Sequence, residues 1–272
     1  MLTLDGTLVL VGAGKMGGAM LEGWLKGGAS PSKIVALDPA PPAEVKAMLD
    51  AKGIRLNPDV SGITDAQVVI VAVKPQVMED VLPGIVPLKA SHPLILSVAA
   101  GKTIATFERH FGSDAAVIRS IPNTPAAVGR GITAMASNPN VSAAQLQLAR
   151  ALLSAVGEVV TVENEEMIDA VTAVSGSGPA YVFYLTECLA AAGEKSGLPA
   201  DLAMQLARAT VSGSGELMRQ SGIAAATLRH NVTSPKGTTY AALQVLMAED
   251  GMQSLFDKAI AAATARSREL AS

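Results

Sequence analysis

The apolar positions of the first half of the chain come in short, unbroken runs. Thr7 to Val11 (TLVLV), Lys33 to Leu37 (KIVAL), Val68 to Val73 (VVIVAV), Leu94 to Val98 (LILSV) and Ala116 to Arg119 (AVIR) are rich in Val, Ile and Leu and apolar on both faces. A parallel sheet covered by helices on each side requires such strands. Between them, Met16 to Lys26, Ala43 to Lys52, Gln76 to Val81 and Thr103 to His110 have helical spacing. Repeated strand–helix units predict an α/β fold with a doubly wound sheet. Gly131 to Ala136 and Glu158 to Val162 predict further strands, with a helix over Ala143 to Ala155 between them.

After Glu163 the pattern changes. Ala, Leu and Met recur at helical spacing over Glu165 to Val174, Pro179 to Lys195, Ala200 to Gln220, Ala224 to His230, Thr238 to Glu249 and Met252 to Glu269. The expected division is therefore residues 1–163 as a dinucleotide-binding domain and 164–272 as an all-helical domain. The helical part is dense in small residues, among them Ala190, Ala191, Ala192, Ala203, Ala207, Ala209, Ser212, Gly213 and Gly215. Small residues let helices approach closely but leave little bulk for a core within one chain. Packing against a second copy would stabilise them, so a homodimer through this domain is expected, with a compact monomeric bundle as the alternative.

Composition narrows the classes. Of 272 residues 49% are apolar and 17% charged, as in a core-forming chain and unlike a disordered one. A formal net charge of −3 gives no basic field for a phosphate backbone, so no nucleic-acid partner is expected. Cys188 is the single cysteine, so the fold does not depend on an oxidising compartment. Met1 to Asp5 lacks a basic region before an apolar stretch. The run Val68 to Val73 falls far short of the roughly 20 residues of a membrane helix. A cytoplasmic protein without a membrane partner is expected. With three His, one Cys and no close grouping of them, no metal site is expected.

Gly12-Ala13-Gly14-Lys15-Met16-Gly17 fits G-x-G-x-x-G. The string alone is weak evidence, but here it directly follows the first predicted strand and opens the first helix, as dinucleotide binding requires. Gly12 would permit the tight turn, Gly14 the approach of a pyrophosphate, and Gly17 the close packing of helix on strand. The phosphates would sit on the unpaired N–H groups and positive dipole end of that helix. A purely structural strand–helix turn is the alternative. Asp38 ends the second strand, 21 residues after Gly17 (38 − 17). A carboxylate there hydrogen-bonds the ribose 2′-hydroxyl of NAD and repels the 2′-phosphate of NADP, which favours NADH. The alternative is that Asp38 only caps the turn before Pro39. The ends of later strands should line the same crevice, nominating Ala72-Val73-Lys74-Pro75, Val98-Ala99-Ala100-Gly101 and Asn123. Lys74 would neutralise cofactor phosphate or be a solvated loop lysine. Asn123 would suit the nicotinamide ribose or amide, or serve its Pro-rich turn.

Two segments of the helical half are unusual. In Ser175-Gly176-Ser177-Gly178-Pro179-Ala180-Tyr181, glycines and a proline interrupt a helical pattern. In Thr233-Ser234-Pro235-Lys236-Gly237-Thr238-Thr239, hydroxyls cluster where a helix starts. Hydroxyls, free N–H groups and a positive dipole end suit a small carboxylate. An ordinary N-cap with neighbouring threonines is the bland alternative. Neither segment holds a His, so a reaction there would lack a strong side-chain base. Hydride transfer to a protonated imine needs none.

Taken in order, the glycine fingerprint, Ala72 to Pro75, Pro122-Asn123-Thr124-Pro125, Ser175 to Tyr181 and Thr233 to Thr239 resemble the motifs of pyrroline-5-carboxylate reductases over essentially the whole chain. The last two motifs are specific; the fingerprint is not. The resemblance implies a Rossmann-like domain followed by an interlocked all-helical dimerisation domain, with dimers often joined into rings. It implies reduction of 1-pyrroline-5-carboxylate to L-proline with NAD(P)H, the last step of proline biosynthesis. Ser234, Gly237, Thr238 and Thr239 would hold the substrate carboxylate, and Thr239 would hydrogen-bond the ring nitrogen as the catalytic residue. Val11, Gly12, Ala13, Gly14, Lys15, Met16, Ala72 to Pro75 and Val98 to Gly101 would contact the cofactor.

The chain departs from the family at two places. Lys236 replaces the first glycine of Ser-Pro-Gly-Gly, which strains the backbone if that position needs positive φ. Asp59 stands where the family often has Asn, 13 residues before Ala72 (72 − 59). Many members prefer NADPH, whereas Asp38 leans to NADH. Two rival classes compete with this reading. A β-hydroxyacid dehydrogenase would place a catalytic Lys on a Gly-rich helix, but Ser175 to Leu189 has none. A non-catalytic dinucleotide sensor would have no use for hydroxyls at a broken helix start.

Overall fold

Among residues 2–271, which the computed structural model describes, eight strands form one sheet in the order β3-β2-β1-β4-β5-β6-β7-β8. They are β1 (Thr7–Val11), β2 (Ile34–Leu37), β3 (Arg55–Leu56), β4 (Ala66–Val71), β5 (Leu94–Ser97), β6 (Ala116–Ile121), β7 (Gly131–Ser137) and β8 (Gly157–Thr161). From β3 to β6 every neighbouring pair is parallel. Strands β1, β2, β4, β5 and β6 are buried on both faces, as the apolar runs predict, while the edge strands β3 and β8 are partly exposed. Leu8 and Leu10 of β1 join a core with Met20, Leu21 and Trp24 of helix α1 (Lys15–Lys26) and Leu152 and Leu153 of α5 (Ala143–Ser154). Val9 and Val11 point the other way, to Met78 and Leu82 of α3 (Met78–Ile85) and Phe107 of α4 (Ile104–Phe111). Helix α2 (Ala43–Lys52) adds Val45 and Leu49 to the first core. Trp24 is fully buried, and its indole Nε1–H donates to Leu152 O at 2.9 Å.

Three local differences from the sequence reading have physical reasons. Strand β3 has two residues, too short for a periodic signal. Strand β7 pairs antiparallel with β6. The link from Ile121 to Gly131 is too short for a crossover helix, so the chain can only turn back. The helix expected at 76–81 is a 3-10 turn over Pro75–Val77 running into α3, with Pro75 where a missing N–H costs nothing.

The chain divides into two units, Met1–Gly176 with Ala263–Ser272, and Ser177–Ala262. The secondary-structure class changes near residue 163, but the first unit continues past it for a reason of packing. Helix α6 (Met167–Val171) buries Ile168 against Ile121, Ala134 and Ala136. The guanidinium of Arg119, 2% exposed, reaches Glu165 Oε1 at 3.0 Å and Asp169 Oδ1 at 3.9 Å. Ser267 Oγ donates to the same Asp169 oxygen at 2.7 Å, which ties the end of the last helix to this unit. A π-helical turn, Thr172–Gly176, follows α6.

The second unit contains α7 (Gly178–Lys195), α8 (Ala200–Ser221), α9 (Ala225–Asn231), α10 (Thr238–Leu246) and the first part of α11 (Met252–Ala271). Helices α7 and α8 are joined by a short link and lie against each other through small residues, with Ala190, Ala203 and Ala207 buried. Tyr181 and Phe256 meet edge to face at 6.3 Å. Large apolar side chains stay exposed, including Phe183, Leu217 and Val245 (72%). Among the described residues no helix is long and apolar enough to cross a membrane.

Candidate functional site

Strand β1 lies between β2 and β4, and the two connections leave for opposite faces of the sheet. The crevice at such a reversal is where doubly wound sheets bind ligands. A cleft of about 670 Å³ opens there, lined among others by Gly12, Gly14, Asp38, Asn57, Val73 and Lys74.

The glycine loop is built from three separate constraints. Gly12 has φ +90°, and a Cβ on it would sit 2.9 Å from the Ala72 backbone. Its N–H donates to Leu37 O at 2.9 Å, while Ala72 N donates to Val11 O at 2.7 Å. A Cβ on Gly17 would collide with Gly12 O, so α1 can lie on the turn only because Gly17 has no side chain. Gly14 is different: a Cβ there would meet nothing within 4 Å. Nothing in the protein itself demands glycine at that point. Gly14 is also the N-cap of α1 and offers no side-chain cap, so the first N–H groups of the helix, from Lys15 and Met16 onward, have no side-chain acceptor. Open space above uncapped N–H groups is what a diphosphate needs.

Asp38 follows β2 and lines the same cleft. One carboxylate oxygen accepts from Ala13 N at 2.7 Å and the other from Ala40 N at 2.9 Å. The turn-capping role and a place in the cleft therefore coexist. Asp59 serves its own turn: its carboxylate accepts from Ser61 N at 3.0 Å and Ser61 Oγ at 2.8 Å, and these bonds hold its pKa below the ordinary carboxylate value. Asn57, which the sequence reading passed over, faces the cleft instead. Its only sequence signal is the Asn57-Pro58 dipeptide, which marks a turn.

The other nominated residues follow neighbouring strands at the same carboxyl edge. Ala72, Val73 and Lys74 line the cleft, and Pro75 starts the next turn. Val98 N donates to Val71 O at 3.0 Å, which brings Val98, Ala99, Ala100 and Gly101 to the end of β4. Gly101 has φ +71°, and a Cβ on it would sit 3.2 Å from Leu270 O. Asn123 is spoken for in part: Nδ2 donates to Ser175 O at 3.1 Å and Oδ1 accepts from Ile132 N at 3.0 Å, latching the end of β6 to the π turn and to β7. One amide N–H and one lone pair remain beyond those bonds.

In the second unit, Ser234, Gly237, Thr238 and Thr239 gather at the start of α10. Gly237 is the N-cap and no side chain caps the helix. Gly237 N donates to Ser234 O at 3.0 Å, closing the turn. Lys236 sits at φ +60°, a conformation that costs a side-chain-bearing residue energy and that glycine would adopt without strain.

A parallel sheet in the 3-2-1-4-5-6 order, a glycine loop entering an uncapped helix and an acidic residue after β2 define a Rossmann-type dinucleotide-binding protein, here with a helical unit appended. Family models agree with both parts: one described as NADP oxidoreductase, coenzyme F420-dependent, matches residues 7–101, and one described as pyrroline-5-carboxylate reductase dimerisation matches residues 165–270. The chain is 39% identical to a pyrroline-5-carboxylate reductase of Pseudomonas aeruginosa over 97% of its length and 96% of that protein's. It is 44% identical to one of Synechocystis over 80% of each chain. A solved pyrroline-5-carboxylate reductase of Coxiella burnetii superposes with a TM-score of 0.91 at 32% identity, covering 99% of this chain and 100% of that one. The Plasmodium falciparum pyrroline carboxylate reductase, solved with NADP bound, gives 0.81 at 27% identity over 98% and 99%. The chain belongs to the pyrroline-5-carboxylate reductase family.

Proposed function

We propose that the protein reduces 1-pyrroline-5-carboxylate to L-proline with a nicotinamide cofactor, the last step of proline biosynthesis. The observation that carries the reading is the cleft at the sheet's reversal point, where Gly14 leaves ligand-sized space over uncapped helical N–H groups. Gly12, Ala13, Gly14, Lys15 and Met16 would hold the diphosphate, with Ala72 to Pro75 and Val98 to Gly101 along the cofactor and Asn123 toward its nicotinamide end. When bound, the reduced nicotinamide supplies a hydride to the imine carbon. The imine nitrogen takes its proton from solvent, so no side-chain acid is required. The α10 start neutralises the substrate carboxylate through N–H groups and the hydroxyls of Ser234 and Thr238. The Thr239 hydroxyl hydrogen-bonds the ring nitrogen as it becomes an amine.

NADH is the preferred cofactor in this reading. The Asp38 carboxylate can accept from ribose hydroxyls and would repel a 2′-phosphate, and Lys74 is the only lysine or arginine among the described residues lining the cleft. The exposed apolar side chains of the helical unit support a homodimer through it, with a ring of dimers as the larger assembly. The lone Cys188 and a biosynthetic role fit a reducing cytoplasm. The test is loss of NADH absorbance on adding 1-pyrroline-5-carboxylate, with L-proline measured as product. Cofactor binding without turnover would instead favour a dinucleotide sensor.

A further inference from the structure

The β2–β3 ladder stops two residues before Asp38. Its last register pair is Ala36 with Leu56. There the chain turns sharply, with Asn57 at φ +49°. The Asn57 main chain still continues the ladder, since its N–H donates to Ala36 O at 2.8 Å. Its side chain then does what the next strand residue would have done. Asn57 Oδ1 accepts from Asp38 N at 2.8 Å, and Asn57 Nδ2 donates to Asp38 O at 2.7 Å. The carboxamide grips both backbone groups of one residue, and that residue is the acidic one lining the cleft.

The demands on this position are narrow. The side chain needs a donor and an acceptor in one plane, which leaves the two amides. It must also tolerate the left-handed region, which favours Asn over longer residues. With its peptide fixed by Asn57 and each carboxylate oxygen accepting one backbone N–H, from Ala13 and from Ala40, Asp38 has little freedom to swing aside. One lone pair remains on each oxygen. A carboxylate that cannot turn away gives full value to ribose hydroxyls and full repulsion to a phosphate.

We propose that Asn57 is a positioning residue that sets cofactor selectivity by holding Asp38. The proposal rests on the reading of Asp38 as the NADH-selecting group. Asn57→Gly tests it, because glycine accepts the positive φ and keeps the main-chain bond to Ala36 while removing the grip. Dissociation constants for NADH and NADPH would be measured by calorimetry on the full-length protein without substrate, with hydrogen exchange at the Asp38 amide as a second readout. The expected result is faster exchange at Asp38, an NADH Kd raised roughly tenfold and an NADPH Kd changed by less than about threefold, so that selectivity collapses. Equal weakening of both cofactors, or an unchanged ratio, overturns the positioning role. Asp38→Ser separates the two ideas. If it shifts the ratio toward NADPH and Asn57→Gly does not, the role of Asn57 is wrong and the reading of Asp38 stands. If Asp38→Ser leaves the ratio unchanged, the reading of Asp38 falls, and the role of Asn57 with it.

Discussion

Gly14→Ala is the substitution that best separates the ligand from the fold. The Cβ it adds meets no atom within 4 Å, and the backbone there, φ −68° and ψ −159°, is open to an L-residue. Removing a glycine from the unfolded ensemble is worth about 0.4–1 kcal/mol of stability. Replacing an N-cap glycine by alanine costs an amount of the same order, about 0.5–1 kcal/mol. The two offset, and Tm should stay within about 2 °C of the parent. The ligand has no such allowance, because the new methyl occupies the approach to the uncapped N–H groups. Losing one charge-assisted hydrogen bond costs about 1.5–3 kcal/mol, so NADH Kd should rise by roughly 10- to 10²-fold. Gly17→Ala is the contrast. Its Cβ would run into Gly12 O, so α1 must shift. Overpacking of that kind costs about 1–3 kcal/mol, a Tm loss of roughly 2–10 °C. Scanning fluorimetry gives both melting temperatures, and quenching titrations give both affinities. A Gly14→Ala protein that melts early but binds NADH normally would refute the placement of the diphosphate.

Three further outcomes are expected. Thr239→Val should lower kcat by about 10- to 10²-fold through one lost transition-state hydrogen bond, with NADH Kd unchanged by titration; equal loss of both would make the threonine structural. Arg119→Met should cost about 3 kcal/mol by leaving Glu165 and Asp169 without their buried partner, read as a lower denaturant midpoint, and Arg119→Met with Glu165→Gln should recover part of it. Lys236→Gly should relieve about 1 kcal/mol of left-handed strain, raising Tm, while the imine KM rises about threefold at low salt and converges with the parent at high salt, where screening removes the ammonium's attraction; a KM gap that persists in salt would mean the lysine acts by shape.

The architecture was legible because it is written in patterns that survive without coordinates. Short apolar runs alternating with helical spacing read as strands between helix layers, and burial of Leu8 and Leu10 on one side with Val9 and Val11 on the other is their direct expression. What escaped was set by distance. Strand direction at β7 depends on the length of a link, and no apolar pattern encodes it. The extension of the first unit to Gly176 depends on Arg119, a charged residue inside a buried strand, finding Glu165 and Asp169 far along the chain. The break at Ser175 to Pro179 reads as a helix end in sequence, yet the backbone spends it on a π turn before α7 begins at Gly178. Asn123 and Asp59 show what sequence does not reveal: part of their polar atoms are committed to nearby backbone or side chains.

Asp38 shows why two readings of one residue need not compete. In sequence it is either a turn cap or a ribose acceptor, and the alternatives look exclusive. The carboxylate caps its own turn through Ala40 N and braces the glycine loop through Ala13 N. Both bonds use one lone pair of each oxygen and leave the other. The capping bonds also hold the carboxylate still, and a group held still discriminates more sharply than a mobile one. On the proposed reading of Asp38, the structural role is part of the selective one. A substitution at Asp38 should remove the brace on the glycine loop outright as well as change cofactor choice, whereas Asn57→Gly frees only the Asp38 peptide and leaves the loop's other tie, Gly12 N–H to Leu37 O, in place.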